Sequence, residues 1–267
     1  MATTDLPVRR RHVQMPLLRR DSMGPSYHVL TFEAPDAIDA SPGHFVMVRG
    51  ATWGDAPLLP RPMSLLEGGL RPSILVKVVG EGTRRLAHAS TGEPFDLLLP
   101  LGRPFAACPD DRTPVLVAGG VGVAPLLFLS RQLTAAGKRP IVLYGGRTAH
   151  DLPLDDELAE VADVRIFTED GSRGRAGRVT VGLEEALGLL ERRAKVYTCG
   201  PDRMMAAVAA IAASLDVPCE ASLETPMGCG FGVCLGCPVE RTQGGYLYAC
   251  VDGPCVDARS VVWEKQQ

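Results

Sequence analysis

Four cysteines near the end of the chain have a spacing typical of metal ligands. Cys229, Cys234, Cys237 and Cys250 follow the pattern C-x4-C-x2-C-x12-C. Three sulfurs from one loop and a fourth from a later segment is the layout of a plant-type [2Fe–2S] loop, whereas zinc sites usually pair their ligands in two short knuckles. Glycines between the first three cysteines let backbone amides turn towards the sulfides. The spacing therefore predicts a [2Fe–2S] cluster, with zinc as the alternative.

The other four cysteines have no such pattern. Cys108 and Cys199 are expected to be small buried residues, and Cys219 and Cys255 flank the cluster loop as bystanders. Thiols stay reduced in the cytoplasm, where this chain is expected, so the clustered cysteines are expected to be ligands rather than disulfides.

Composition excludes several classes of function. The net charge is −3, and no long basic run indicates nucleic acid or an acidic membrane surface as a partner. No stretch approaches the roughly 20 apolar residues of a membrane span. The N-terminal arginines, Arg9 to Arg11 with Arg19 and Arg20, are not followed by the apolar core of a signal peptide. These features agree with a cytoplasmic enzyme that has no membrane partner.

Three regions must position the cysteines and any ligand. Residues 1–105 contain short apolar runs separated by turn signals, which predict strands over 27–34, 44–50, 74–80 and 94–102 and an antiparallel sandwich or barrel. Residues 106–215 alternate buried strands with helices, which predicts an α/β unit with a parallel sheet. Residues 216–267 are rich in glycine and cysteine and too small for a large apolar core, so a metal cluster would organise this lobe.

Glycine-rich turns mark candidate sites for a ligand. The sequence GGVGVAP (119–125) follows a buried strand and opens a helix, so Gly119, Gly120 and Gly122 would let a phosphate or sugar approach the backbone. It is not the G-x-G-x-x-G fingerprint, and a tight strand–helix turn that binds nothing is the alternative. The sequence YTCGP (197–201) ends a strand where ligands gather in open α/β sheets, so Cys199, Gly200 and Pro201 are candidate pocket residues.

Two motifs in the first region suit a dinucleotide. In RPMS (61–64), Arg61 suits a diphosphate and Ser64 could hydrogen-bond a ring heteroatom; an ordinary strand start is the alternative. In GEGT (80–83), glycines free the backbone and Thr83 adds a hydroxyl, although a hairpin turn also uses glycine.

Together these motifs resemble the ferredoxin–NADP reductase superfamily and, within it, the electron-transfer subunits of dihydroorotate dehydrogenase B. The resemblance rests on RPMS, GEGT, GGVGVAP, CGP and LETPMGCGFGVCLGCPVE with YACVDGP, in this order along nearly the whole chain. It implies an N-terminal FAD-binding β-barrel (1–105), an NAD-binding α/β domain (106–215) and a C-terminal [2Fe–2S] lobe (216–267).

The resemblance also implies roles for particular residues. The flavin and its diphosphate would be held by Arg61, Pro62, Met63, Ser64, Leu75, Val76, Lys77, Gly82 and Thr83. NAD(H), as co-substrate, would meet Gly119, Gly120, Gly122, Cys199, Gly200 and Pro201, and the four cysteines would ligate the cluster. Two departures stand out: Met63 occupies a position that often carries a branched or aromatic residue, and Cys255 is a fifth nearby thiol.

The function implied is electron transfer between an FMN-containing dihydroorotate dehydrogenase catalytic subunit and NAD⁺, within a heterotetramer of the pyrimidine pathway. No region is left over for an FMN barrel of about 250 residues, so the chain alone would not oxidise dihydroorotate. No nucleophile set is apparent and no catalytic residue is assigned. A subunit of a hydrogenase or a ferredoxin–NADP oxidoreductase, and a zinc-stabilised nucleotide-binding regulator, are the alternatives.

Overall fold

Six antiparallel strands of the first region close into a barrel. The computed structural model describes residues 10–263, so Arg9 and both termini lie outside the described residues. The strands β1 to β6 pair in the order β1-β2-β5-β4-β3-β6, and β1 closes the ring against β6. They span Arg11–Ser22, Tyr27–Phe32, Phe45–Gly50, Arg61–Glu67, Ser73–Lys77 and Pro94–Leu101. Alternate side chains fill the interior, where the Phe32 and Phe95 rings meet edge to face with centroids 5.6 Å apart.

Two parts of the barrel region differ from the sequence-based expectation. Strand β1 was not predicted, because arginines and other exposed residues surround its buried Met15 and Leu17. The GEGT motif does not form a hairpin turn, the alternative weighed above. It begins the short helix α1 (Glu81–Ala87), where the Thr83 hydroxyl accepts hydrogen bonds from the N–H groups of Val79 and Gly80 at 2.9 and 3.0 Å.

The second region is a parallel sheet covered by helices, as predicted. Its strands are β7 (Thr113–Gly119), β8 (Ile141–Gly146), β9 (Asp163–Thr168), β10 (Arg175–Ala176) and β11 (Ala194–Cys199). The strand β12 (Cys219–Ser222), from beyond residue 215, extends this sheet by pairing parallel with β11. Its helices are α2 (Val123–Ala135), α3 (Asp155–Val161), α4 (Val179–Leu189) and α5 (Asp202–Ser214). The central strands β7 and β11 are almost entirely buried, which explains their continuous apolar sequences.

The C-terminal lobe contacts both the parallel sheet and the barrel. A hairpin of β13 (Pro238–Glu240) and β14 (Tyr246–Tyr248) carries part of the cysteine loop, and β15 (Cys255–Asp257) pairs antiparallel with β12 at the sheet edge. The sheet order is therefore β10-β9-β8-β7-β11-β12-β15. The lobe has no large core of its own. Its buried residues, among them Val239 and Leu247, join the apolar cluster beneath the sheet.

The lobe also packs directly on the barrel. A side chain at Gly230 would lie 2.4 Å from Cγ of Met47 and 3.1 Å from Leu101, so only a glycine fits this contact. The backbone N–H of Arg103 donates to the carbonyl oxygen of Gly253. The barrel, sheet and lobe thus share surfaces around one cleft. Among the described residues, none of the helices is both long enough and apolar enough to cross a membrane.

Candidate cofactor cleft and cluster loop

A cavity of about 610 Å³ lies where the barrel, the sheet and the C-terminal lobe meet. This volume falls within the range of small-molecule and cofactor sites. Three walls form it: strands β4 and β5 of the barrel, the carboxyl ends of β7 and β11, and the chain that follows β12. The carboxyl ends of parallel strands are the edge at which α/β sheets bind ligands, so the cavity has the expected place.

The RPMS residues form the barrel wall. Pro62, Met63 and Ser64 line the cavity on β4. Arg61 lies beside it: its guanidinium covers Gly82 at the start of α1, and Nη1 donates to the carbonyl oxygen of Leu59 at 3.0 Å. The arrangement places a cation next to the glycine and the threonine of GEGT, as a diphosphate site requires.

Strand β5 divides its predicted residues between two faces. Leu75 and Lys77 line the cavity, whereas Val76 is fully buried in the barrel interior. This follows from the two-residue period of a strand. A ligand in the cavity could therefore meet Val76 only through its backbone. Thr83 also lines the cavity, while Gly82 serves to make room for the Arg61 guanidinium.

The glycine turn and the CGP turn lie side by side on the opposite wall. Gly119, Gly120, Gly200 and Pro201 line the cavity. Gly122 instead packs against the neighbouring turn, where a Cβ atom would lie 2.3 Å from the carbonyl oxygen of residue 199.

Cys199 lies behind this wall. It is fully buried, and burial raises its pKa well above the ordinary value of a thiol. Its side chain is thus kept neutral and unreactive, and only its backbone supports the pocket turn.

The third wall was not predicted as part of the ligand site. Residues 223 to 227, the sequence LETPM, line the cavity and lead directly to Cys229. The Glu224 side chain is open to the cavity but surrounded by protein; burial and the nearby Asp202 carboxylate raise its pKa, opposed by Lys77. The buried hydroxyl of Thr225 has no hydrogen-bond partner. The signal was present, because LETPM stands in the motif that carries the resemblance.

The four predicted cluster ligands come together as two pairs. Sγ of Cys237 lies 3.3 Å from Sγ of Cys250, and both residues are buried. In the outer pair, the backbone N–H of Cys234 points to Sγ of Cys229 at 3.5 Å, and Cys234 is exposed. Two cysteines for each of two irons is the ligation of a [2Fe–2S] cluster.

The surroundings of the two pairs differ. Burial would raise the pKa of Cys229, but backbone N–H groups of Cys234 and Phe231 lower it to about 6. Burial and the adjacent Cys237 thiol raise the pKa of Cys250 to about 12. Backbone N–H groups point at the sulfurs; that of Gly236, for example, lies 3.4 Å from Sγ of Cys234. Thiolate ligands of a cluster accept hydrogen bonds of this kind.

These observations fit the implied groups. The loop supplies four thiols, three of them within nine residues, and N–H donors to the outer sulfurs. Among the described residues, no three cysteine, histidine or carboxylate groups already surround one metal position, so the two cysteine pairs would draw together on ligation. The cleft offers Arg61 and Lys77 for phosphates and open glycine backbone on the far wall.

Comparisons with known proteins agree with this arrangement. The family model of the oxidoreductase NAD-binding domain matches residues 116–210, and that of the iron–sulfur cluster binding domain of dihydroorotate dehydrogenase B matches residues 224–262. The dihydroorotate dehydrogenase B (NAD⁺) electron transfer subunit of Desulforamulus reducens is 37% identical over 251 residues, covering 91% of this chain and 95% of that protein. The corresponding subunit of Geobacillus kaustophilus is 37% identical over 228 residues, covering 83% and 86%.

A solved structure matches the whole architecture. It is described as the NADH-dependent reduced ferredoxin–NADP oxidoreductase, and it superposes with a TM-score of 0.81 at 27% identity, covering 94% of this chain and 90% of that one. Both family models fall on the parts of the fold that form the cleft and the cysteine loop. The barrel, the parallel sheet and the cysteine lobe, together with these sequence identities, show that the chain belongs to the family of dihydroorotate dehydrogenase B electron-transfer subunits, which have the ferredoxin–NADP reductase fold.

Proposed function

We propose that this chain carries electrons between an FMN-containing dihydroorotate dehydrogenase catalytic subunit and NAD⁺, using a [2Fe–2S] cluster and FAD. The observation that carries the proposal is the shared wall of the two sites. The segment 223–227 lines the cavity, and Cys229 of the cysteine loop follows two residues later. A cofactor in the cavity and a cluster in the loop would thus be neighbours.

The residues of the cleft divide the work of binding. When bound, FAD exchanges hydride with a nicotinamide and single electrons with a cluster, which a cluster alone cannot do. Arg61 and Thr83 would hold a diphosphate at one end of the cavity, and Ser64 would orient the flavin ring. Gly120 and Pro201, on the sheet wall, would leave space for the nicotinamide to lie against it.

The outer side of the cysteine loop suits a partner subunit. Val233 and Leu235, on either side of the exposed Cys234, have 72% and 54% of their surface exposed. Phe231 is exposed as well. Apolar side chains around a redox centre favour burial against another protein. A heterotetramer with two copies of each subunit follows from the family, and its catalytic subunit would cover this face.

The same reasoning supports the domain limits and the location. We infer a FAD-binding barrel over 1–105, an NAD-binding domain over 106–215 and a cluster lobe over 216–267. The four-cysteine loop, which needs reduced thiols, supports a cytoplasmic location.

A reconstitution assay tests the proposal. The isolated chain should contain FAD, iron and sulfide, and should oxidise NADH with an artificial acceptor without forming orotate from dihydroorotate. Adding a matched FMN subunit should couple dihydroorotate oxidation to NAD⁺ reduction. Orotate formation by the chain alone, or no coupling in the complex, would contradict the proposal. A preparation that contains zinc and shows no flavin absorption bands would instead support the zinc-stabilised nucleotide-binding regulator.

The match to the ferredoxin–NADP oxidoreductase structure favours one second candidate. Because that structure covers 94% of this chain, the same cofactors could serve a different electron-transfer complex. The partner decides between the two. Co-purification of the native complex with an FMN-containing dihydroorotate dehydrogenase supports the first proposal, and co-purification with a different redox subunit supports the second.

A further inference from the structure

One carboxylate stands between two cations, of which Lys77 lines the cavity. Asp151 ends a short 3-10 turn (Ala149–Asp151) after β8. Its Oδ1 lies 3.5 Å from Nζ of Lys77, and its Oδ2 lies 3.7 Å from Nε of Arg147. The hydroxyl of Tyr27 donates to Oδ1 at 3.3 Å. The carboxylate is largely buried, with 17% of its side chain exposed, so it cannot rotate freely away from this group.

This contact crosses the boundary between barrel and sheet. Tyr27 and Lys77 are paired residues on the neighbouring barrel strands β2 and β5, and Nζ of Lys77 lies 5.2 Å from the centroid of the Tyr27 ring. Asp151 and Arg147 belong to the sheet region. Lys77 lines the cavity together with Gly120. A Cβ atom placed on Gly120 would lie 3.6 Å from the Tyr27 hydroxyl, so the Gly120 backbone is open towards this group.

The distances show how Asp151 holds the two cations. Charge-assisted hydrogen bonds between nitrogen and carboxylate are typically about 2.7–2.9 Å long. At 3.5 and 3.7 Å, Asp151 neutralises part of the charge of Lys77 and Arg147 without a tight bond to either. The three groups together have one net positive charge. An anion with two charges and several acceptor oxygens would bind both cations better than this single carboxylate does.

We propose that Lys77 and Arg147 bind the diphosphate of the nicotinamide dinucleotide and that Asp151 competes with it for both cations. The inference rests on the proposed function and assigns to Asp151 the role of weakening dinucleotide binding. When the dinucleotide enters, the side chains of Lys77 and of the exposed Arg147 turn from the carboxylate to its diphosphate. When it leaves, Asp151 neutralises them again, which favours release and prevents other anions from filling the site.

The position of the group favours the nicotinamide dinucleotide over FAD. Arg147 and Asp151 both lie within residues 116–210, which match the NAD-binding domain, and the backbone oxygen of Asp151 lies 3.9 Å from a Cβ atom placed at Gly120. The candidate cation for the FAD diphosphate is Arg61, which lies over Gly82 on helix α1. Lys77, which the resemblance assigned to the flavin, would then serve the nicotinamide dinucleotide, and the two diphosphates would use different cations.

Equilibrium binding of NAD⁺ to the oxidised, FAD-loaded protein tests the inference without turnover. Asp151→Asn keeps the shape and the acceptor for Tyr27 but removes the charge. At low salt it should tighten NAD⁺ binding roughly three- to tenfold, as expected for one like charge removed near a diphosphate. Lys77→Gln and Arg147→Gln should each weaken it. The differences should shrink in 0.5 M salt because the charges are then screened.

Ligand fragments show whether the diphosphate is responsible. ADP-ribose, which retains the diphosphate, should follow NAD⁺ in every variant, and nicotinamide riboside, which has no phosphate, should not respond. Asp110→Asn is the matched control, because Asp110 pairs with Lys138 at 2.8 Å on an exposed surface. That variant should bind NAD⁺ as the unmodified protein does.

Two results would overturn the inference. The first is unchanged or weaker NAD⁺ binding by Asp151→Asn. The second is loss of FAD from Lys77→Gln with normal binding of ADP-ribose, which would assign the cation to the flavin. FAD and iron contents separate this test from the proposed function: their absence from the unmodified protein refutes that function, whereas normal contents with either result refute only the role of Asp151.

Discussion

Arg61 gives the sharpest test of the FAD site, because the structure allows the same contact to be disturbed from two sides. Arg61→Ala removes the guanidinium that would bind the flavin diphosphate. Gly82→Ala retains the arginine at position 61 but puts a methyl group 2.3 Å from the present position of its Nε and 3.1 Å from that of its Nη2. The guanidinium must then move, since the glycine backbone beneath it belongs to helix α1.

The expected loss follows from the kind of bond removed. A hydrogen bond to a charged group contributes about 1.5–3 kcal/mol. At about 1.4 kcal/mol for each factor of ten, Arg61→Ala should weaken FAD binding roughly 10- to 150-fold. Gly82→Ala should cause a smaller loss, because the long Arg61 side chain keeps part of its bond by changing rotamer.

The assay follows the release of FAD by its fluorescence as purified protein is diluted. Arg19→Ala is the control, because Arg19 is an exposed arginine of the same barrel that pairs with Asp21 at 2.7 Å, away from the cavity. This variant should retain FAD. The reasoning is refuted if Arg61→Ala binds FAD with unchanged affinity, or if Gly82→Ala loses more affinity than Arg61→Ala does.

Three further predictions concern the cluster, a buried ion pair and an acid in the cavity. Cys234→Ser should remove or badly weaken the cluster, whereas Cys219→Ser, at a buried thiol outside the loop, should retain iron and sulfide. Lys195→Met should lower the free energy of unfolding by about 3–5 kcal/mol, because it leaves the largely buried Glu220 carboxylate, now 2.6 Å from Nζ, without a cation and with the N–H of Ala106 still donating to it. Glu224→Gln should raise the Tm of the cofactor-free protein at pH 8. The raised pKa of Glu224 means that its ionised form opposes folding, so this gain should disappear below about pH 4, where the carboxyl is protonated in both states.

Each of these predictions has a clear negative outcome. Full iron content in Cys234→Ser would remove this residue from the ligand set. For Lys195, the comparison is Arg259→Met, which breaks an exposed pair with Asp216 and should cost less than 1 kcal/mol. Equal losses in urea unfolding would mean that burial of the Lys195 pair does not matter. If Glu224→Gln raised the Tm by the same amount at every pH, ionisation of Glu224 would be excluded as the cause.

The sequence predicted the elements whose apolar pattern is continuous. The buried strand β7 and the helix α2 adjoin GGVGVAP as expected, and the buried strand β11 ends in YTCGP. Strand β1 was missed because its buried residues, Met15 and Leu17, stand among arginines. Strands β12 and β15 were missed because they have only three or four residues and depend on the sheet edge.

The candidate site shows a similar limit. Local motifs identified the loops that meet at the cavity, because glycine, arginine and cysteine spacings are local properties of the sequence. They could not show that Asp151 faces Lys77, since the two residues are 74 positions apart and their contact exists only in the folded protein. The division of β5 between Val76 inside and Lys77 outside could have been predicted from the period of a strand.

The contact of Gly230 with Met47 and Leu101 has a consequence for biogenesis. The barrel leaves the ribosome well before the cysteine lobe, and N-terminal domains generally fold first during synthesis. The lobe, which has little core of its own, then settles on a finished surface of the barrel and on the edge strand β12. We therefore expect cluster insertion to be the last step of maturation. A chain whose barrel is destabilised at Met47 should then fail to take up the cluster even when iron and sulfide are supplied.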